Sequence, residues 1–374
     1  MNATRLPGHR RSGGRGRQRH ATGTTARRAT AALAAAGLAL AMSACGSAGA
    51  NSGGDELTIG FAVPVLANSY WKANADFATK LGGQLGVKVI VADAQEKEDT
   101  QLKNVQDLIA RGVDGIVFGP ITAEIGPRLL RACENADIMC AAMARKPGVE
   151  PSKANASHYA GYVVGDDAGD GAAGATALSK AGCKKVVAMS GLQGNSVADS
   201  RLKGFTSKAG ELGLTILGSP QRPVELPETG LKATQNFLAR FPGPQFNCLW
   251  AFNDGSAVGA IQALDAAGAL SKVKVASIDG TAEGVKAIQA GQMLVSPGGE
   301  FVNGGLALVM TYDAVKGHPR SNRAVVLNTL PVTKDNVAAY KAQFIDALPD
   351  YDAKALSRTH NPSVDEGAFK IVLK

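Results

Sequence analysis

Short apolar runs alternate with amphipathic stretches along most of this chain. The run Leu57 to Val63 is followed by a turn carrying Pro64, Asn68 and Ser69 and by two adjacent aromatics, Tyr70 and Trp71. Phe77, Leu81 and Leu85 then recur at i, i+4, i+8, which predicts a helix. Strands are predicted at Lys88–Ala92, Gly115–Phe118, Ile138–Met143 and Tyr159–Val164, and helices at Asp99–Arg111 and Glu124–Asn135. In the first of these helices Leu102, Val105, Leu108 and Ile109 share one face, and Gly112 stops it. The rhythm restarts with strands at Lys185–Met189, Leu214–Ser219, Cys248–Phe252 and Val273–Ile278 and at Leu294-Val295, separated by helices at Asp199–Leu212, Thr229–Arg240, Ala257–Ala267 and Glu283–Gln289. Strand, helix, strand at this spacing means right-handed crossovers and a parallel sheet. The chain is therefore expected to be α/β, with two doubly wound parallel-sheet halves of similar size.

Polar residues gather where the predicted strands end: Asn68, Asp93, Arg145, Asp166, Asn253 and Asp279. Each alone is explained by helix capping. Together they line the carboxyl edges of two sheets, where open α/β folds bind ligands, and a cleft between two such halves is the usual place for a small molecule. Tyr70 and Trp71 would present flat apolar faces there.

The net charge of +8 misleads. Residues 1–44 hold eight Arg and no acidic residue, and without them 32 basic residues face 32 acidic ones. A neutral body gives no case for a nucleic-acid partner. Residues 1–44 read as a signal peptide, with a basic stretch from Arg5 to Arg28 and an apolar one from Ala29 to Ala41, too short to span a membrane. Met42-Ser43-Ala44-Cys45 resembles a bacterial lipobox, which implies cleavage before Cys45 and a diacylglycerol on its thiol. Residues 45–54 have the composition of a flexible tether. The expected location is the outer face of the cell membrane, lipid-anchored after export.

The body has three His, no CxxC pair, no nucleophile elbow and no phosphate-binding loop. Neither a metal site, a cofactor nor an enzymatic activity is expected. A sugar-responsive regulator would need a helix-turn-helix where the signal segment stands.

The chain resembles the type 1 periplasmic binding proteins of the ribose-binding group, the solute receptors of ABC importers. The residues that carry the likeness are Asn68-Ser69-Tyr70-Trp71, Ala92-Asp93-Ala94-Gln95, Asn104 to Gly115, Arg201-Leu202-Lys203-Gly204-Phe205, Asn253-Asp254 and Ile278-Asp279-Gly280-Thr281. Their order and spacing hold from about Leu57 to Gly317. The resemblance implies two domains joined by a multi-crossover hinge: residues 55–164 with 298–329, and residues 165–297 with 330–374, the last stretch including a helix at Asn336–Leu348 and a tail. It implies a ligand site of Asn68, Tyr70, Trp71 and Arg145 on one wall, with Asp199, Asn253, Asp279 and Glu300 on the other. The Asp that usually precedes the Arg is Ala144 here, the second family Arg aligns with Asp199, and Glu225 lies near a family aromatic. A sugar or polyol suits such a site, and a cationic small molecule suits its carboxylates. The implied partner is an ABC importer permease, with a signalling partner as the alternative, and the receptor itself is expected to be a monomer. Cys183 and Cys248 begin the first and third strands of the second half, neighbours in a 2-1-3-4-5 sheet, and are expected to pair. Cys133 and Cys140 are placed to pair across a helix-to-strand turn.

Overall fold

The computed structural model describes residues 56–153, 157–223, 225–243 and 245–374. The signal peptide, Cys45 and the tether lie outside them.

The first lobe opens with β1 (Leu57–Val63), α1 (Ser69–Leu85), β2 (Val87–Asp93), α2 (Glu98–Ala110), β3 (Gly115–Phe118), α3 (Gly126–Asn135), β4 (Met139–Ala144) and β5 (Tyr159–Gly165). The chain then crosses into the second lobe. There it forms α4 (Asp167–Lys180), β6 (Lys185–Met189), α5 (Ser196–Glu211), β7 (Thr215–Ile216), α6 (Pro227–Arg240), β8 (Cys248–Ala251), α7 (Asp254–Ala266), β9 (Lys274–Ala276), α8 (Ala282–Gln289) and β10 (Val295–Gly298). It returns to the first lobe for α9 (Val302–Val315) and β11 (Ala324–Leu327), and crosses once more to β12 (Leu330–Thr333) and α10 (Val337–Phe344), before α11 (Ala353–Leu356) and a short 3-10 turn at Glu366–Ala368.

The first sheet has the order β11-β5-β4-β3-β1-β2, all parallel. The second has β7-β6-β8-β9, also parallel. It is extended by β10, which joins β9 through the Ser277 N–H donating to Val295 (3.0 Å) and pairs antiparallel with β12. Both lobes are doubly wound, because parallel strands need crossover helices and those helices bury both faces of the sheet. Strands β3, β5, β8 and β10 are accordingly buried along their whole length.

Helix α9 is buried almost all round, since it fills the space between α1 and the strands β3 to β5. A Cβ on its Gly305 would come 2.5 Å from the Phe77 ring, so the close approach to α1 depends on glycine. No helix among the described residues is long and apolar enough to cross a membrane.

The tail departs from the expected division. Helix α10 docks on the second lobe, where the Tyr340 hydroxyl donates to the Gly280 carbonyl (3.0 Å). The following residues cross back to α1: Lys80 donates to the carbonyls of Leu348 (3.0 Å) and Pro349 (2.9 Å), and Gln84 holds Tyr351 and Ala353. Residues 348–353 thus lie against α1, whose polar side chains satisfy their backbone.

The structure pairs Cys183 with Cys248 (Cα–Cα 5.9 Å) and Cys133 with Cys140 (6.3 Å). The first bond closes a loop of 65 residues. A loop of that size restricts the unfolded chain by about 4 kcal/mol in the chain-entropy account. Cys248→Ala is expected to lower the unfolding free energy by about 2–4 kcal/mol, read by urea denaturation. A loss no larger than for the short loop's Cys140→Ala would contradict this ordering.

Candidate functional site

The carboxyl edges of the two sheets face each other, and the helices that leave them bring their amino ends into the same space. Asn68 caps α1, its side-chain oxygen accepting from the Tyr70 N–H (2.9 Å). Asn253 caps α7 and accepts from the Ser256 N–H (3.0 Å). Capping uses only the oxygen of each amide. Both Nδ2 groups donate to one acceptor, the backbone carbonyl of Glu225, at 3.1 Å from Asn68 and 3.4 Å from Asn253. The two lobes thus grip one peptide group from opposite sides.

The Glu225 side chain lies between them. Its carboxylate accepts from Arg145, from Asn195 Nδ2 (3.0 Å) and from Trp71 Nε1 (3.3 Å). Arg145, at the end of β4, also donates to the carbonyls of Pro120 (3.3 Å) and Ile121 (3.2 Å). Its guanidinium stands over the Trp71 ring, 4.9 Å from the centroid, a cation–π geometry. Trp71 meets Tyr70 edge-on (5.1 Å, 82°). Its ring rests on Gly119, where an added Cβ would be 2.7 Å away, so no other residue fits there.

A second guanidinium organises the wall behind. Arg201 donates to Asp167 (Nε, 3.1 Å), Asp279 (Nη1, 2.7 Å), the Phe252 carbonyl (Nη1, 2.8 Å) and Glu300 (Nη2, 3.0 Å). Glu300 in turn accepts from the Tyr70 hydroxyl (3.1 Å), which also accepts from Asn303 Nδ2 (3.0 Å). Asp279 is held at φ 119°, a conformation that costs a non-glycine residue about 1–3 kcal/mol. Burial pushes the Tyr70 hydroxyl well above its usual range, with the Glu300 and Asp279 charges adding to it. Burial also raises Asp279 despite Arg201 beside it.

Tyr70, Trp71 and Arg145 from the first lobe, Glu225, Asn253 and Asp279 from the second, and Glu300 at a crossover surround a cavity of about 20 Å³, space for roughly one water molecule. A larger hollow of about 350 Å³ lies near Gly268 and Gly291, where β9 begins, and shares no lining residue with this constellation.

Two placements differ from the sequence expectation, and the first is Asn68, which caps α1 and grips the Glu225 carbonyl without lining the cavity. The second is Asp199, which does not line the cavity either. It is half-buried, pairs with Arg222 (3.0 Å) and accepts from the Gly194 N–H (3.0 Å). Asn195 caps α5, accepting from the Val197 and Ala198 N–H groups, so the helix starts three residues earlier than expected. Two residues along a helix turn through about 200°, which sends Asp199 outward and Arg201 inward. Arg201 was legible: Val197, Arg201 and Phe205 repeat at i, i+4, i+8, and an Arg inside an apolar stripe must be paired. Glu225 sits between Pro223 and Pro227 in a stretch with no period, and no local signal turns it into the cleft.

Glu96 brings a further carboxyl near Arg145 and Glu225 and is raised to about 7, by burial first and then by the Glu225 charge. Asp170, which accepts from the Thr329 hydroxyl, is also raised to about 7, by burial first and then by Glu300. Such carboxyls bind protons in this compact arrangement that an unfolded chain, or one with its lobes parted, would not. Their contribution is therefore present at low pH and lost as pH rises through about 7. The radius of gyration from small-angle scattering is expected to be smaller at about pH 5.5 than at about pH 8, with Glu96→Gln weakening the difference. Expansion on acidification over that range would refute it.

A family profile described as periplasmic binding protein domain matches residues 59–319. The ribose import binding protein RbsB of Haemophilus influenzae is 32% identical over 267 residues, covering 71% of this chain and 85% of that protein. The xylitol-binding protein of Mycolicibacterium smegmatis is 27% identical over 337 residues, covering 85% and 91%. The binding protein of the arabinose ABC transporter of Shewanella sp. ANA-3, solved with arabinofuranose, superposes with a TM-score of 0.71 at 22% identity, covering 77% and 96%.

Proposed function

The chain belongs to the periplasmic binding protein family and is not an enzyme, and from that premise we propose that it captures a sugar or polyol between its lobes and hands it to an ABC importer permease. The observation that carries this reading is the convergence of both lobes on one polar, aromatic-walled cavity. Guanidinium and carboxylate groups fixed by mutual pairing can exchange those partners for ring or chain hydroxyls, and Tyr70 and Trp71 offer apolar surface to C–H groups. Two relatives are named for ribose and xylitol, a sugar and a polyol of similar size. Three crossovers between the lobes suit opening and closing about a hinge.

Thermal-shift screening over pentoses, hexoses and polyols, followed by calorimetry, tests the reading. A bound ligand raises the melting temperature in proportion to the logarithm of its excess over Kd. No shift from any member at millimolar concentration would refute it. Uptake of the identified ligand, lost on deleting the receptor, tests delivery to a permease.

We also propose anchoring through a lipidated Cys45, supported by the small residues that precede it at the end of an apolar leader. Cys45→Ala is expected to move the protein from the membrane fraction to the soluble one. A wild-type protein that takes up no labelled lipid would end the proposal.

A further inference from the structure

The cleft buries more carboxyl groups than guanidiniums. Glu225, Asp279 and Glu300 face the cavity, and Asp167 and Asp170 stand directly behind it. Against these five carboxylates are two guanidiniums, Arg145 and Arg201. Four of the five carboxylates are less than one-tenth exposed. One oxygen of Asp170 is buried with no hydrogen-bond partner. Arg201 alone is shared among Asp167, Asp279 and Glu300, so its single charge cannot neutralise them. The amino ends of α1, α5 and α7 point into the same space. Even with about half a positive charge credited to each, the balance stays negative. Carboxylates in such an excess resist burial, and the raised positions of Asp167 and Asp279, both caused first by desolvation, agree.

One sequence feature contributes to the excess. In the ribose-binding group that the chain resembles, a neutral Gln usually falls in the stretch that holds Glu300, which here supplies a carboxylate instead. A neutral sugar entering this cavity would exchange hydrogen bonds and leave the imbalance in place. A ligand with an ammonium group would remove it, lying against Glu225 and Asp279 with Tyr70 beside it.

We propose that the natural ligand of this cleft carries a positive charge, as an amino sugar or amino polyol does. The proposal rests on the receptor reading above and narrows it. An ammonium supplies three donors and one unit charge, which matches carboxylate walls better than a hydroxyl does.

Calorimetry on the mature protein with three matched pairs tests it: D-glucosamine against D-glucose, D-galactosamine against D-galactose, and D-glucamine against D-sorbitol. At least one amine is expected to bind about tenfold or more tighter than its neutral partner. N-acetylation, which removes the charge and keeps the ring, should erase the advantage. So should Glu225→Gln, with the fold verified by circular dichroism. Neutral members that bind as tightly as the amines in every pair would overturn the inference and leave the sugar-receptor reading standing. Binding by no member of any pair, alongside a blank screen of pentoses and polyols, would overturn both.

Discussion

Arg201→Ala is expected to lower the unfolding free energy by about 3–5 kcal/mol, the cost of stripping the partner from buried charges. The residue is 2% exposed and its guanidinium holds Asp167, Asp279 and Glu300 together with the Phe252 carbonyl. These groups come from α4, the end of β8, the loop after β9 and the crossover before α9. Removing the guanidinium leaves three carboxylates facing each other without a cation. Solvent screening is absent at this depth, so no large discount applies. Arg201→Lys keeps the charge but loses the fork, because an ammonium cannot reach several partners in one plane. It should fall between wild type and Ala. Urea denaturation followed by circular dichroism gives the answer, and a loss below about 1 kcal/mol for Arg201→Ala would show that the carboxylates find other partners.

Trp71→Ala should rank next. Truncating a fully buried tryptophan costs about 3–5 kcal/mol through lost transfer energy and the cavity left behind. Here the ring is 1% exposed, wedged between Gly119, Tyr70 and the Arg145 guanidinium, and its Nε1 donates to Glu225. Its loss frees Arg145 to swing and takes away one donor from Glu225. Ligand affinity should then drop by at least about tenfold, the equivalent of 1.4 kcal/mol. Trp71→Phe keeps a ring and removes the hydrogen bond, so it should cost about 1 kcal/mol in stability at most. Tryptophan emission separates the two roles. The chain has two Trp, and Trp250 is stacked on Phe205 (4.3 Å) in the core of the second lobe. A ligand-dependent emission change that survives in Trp71→Phe would place the binding event elsewhere.

The strands were legible because a parallel sheet covered on both faces demands continuous apolar runs, as in Gly115–Phe118 and Cys248–Ala251. Tyr70, Trp71, Arg145 and Asp279 were legible because they follow such runs directly. Asn68 and Asn253 read as caps, and they are caps, but the free amide nitrogen that each turns toward Glu225 has no trace in a one-dimensional pattern. Asp199 was expected in the cleft from its alignment with the family's second Arg, but two residues of helix turn through about 200°, and the stripe Val197, Arg201, Phe205 faces inward instead. The tail was read as a helix at Asn336–Leu348 with a wrapping end on the second half, yet the structure gives it partners on both lobes. Lys80 and Gln84 of α1 decide the matter by satisfying backbone carbonyls that α10 alone could not reach.

That tail changes the mechanics of the hinge. Three crossovers meet near Glu300, where Gly165, Gly299 and Thr329 lie close together. Left alone they would act as a ball joint, free to swivel as well as bend. The tail is a fourth link, pinned to the second lobe at Tyr340 and to α1 at Leu348 and Tyr351. Its end then folds back, Val372 and Lys374 being held by Gln343, which doubles the span. A joint stayed at a second point can rotate about one axis and resists torsion. Any motion of the lobes is therefore expected to follow a single arc rather than a family of skewed paths.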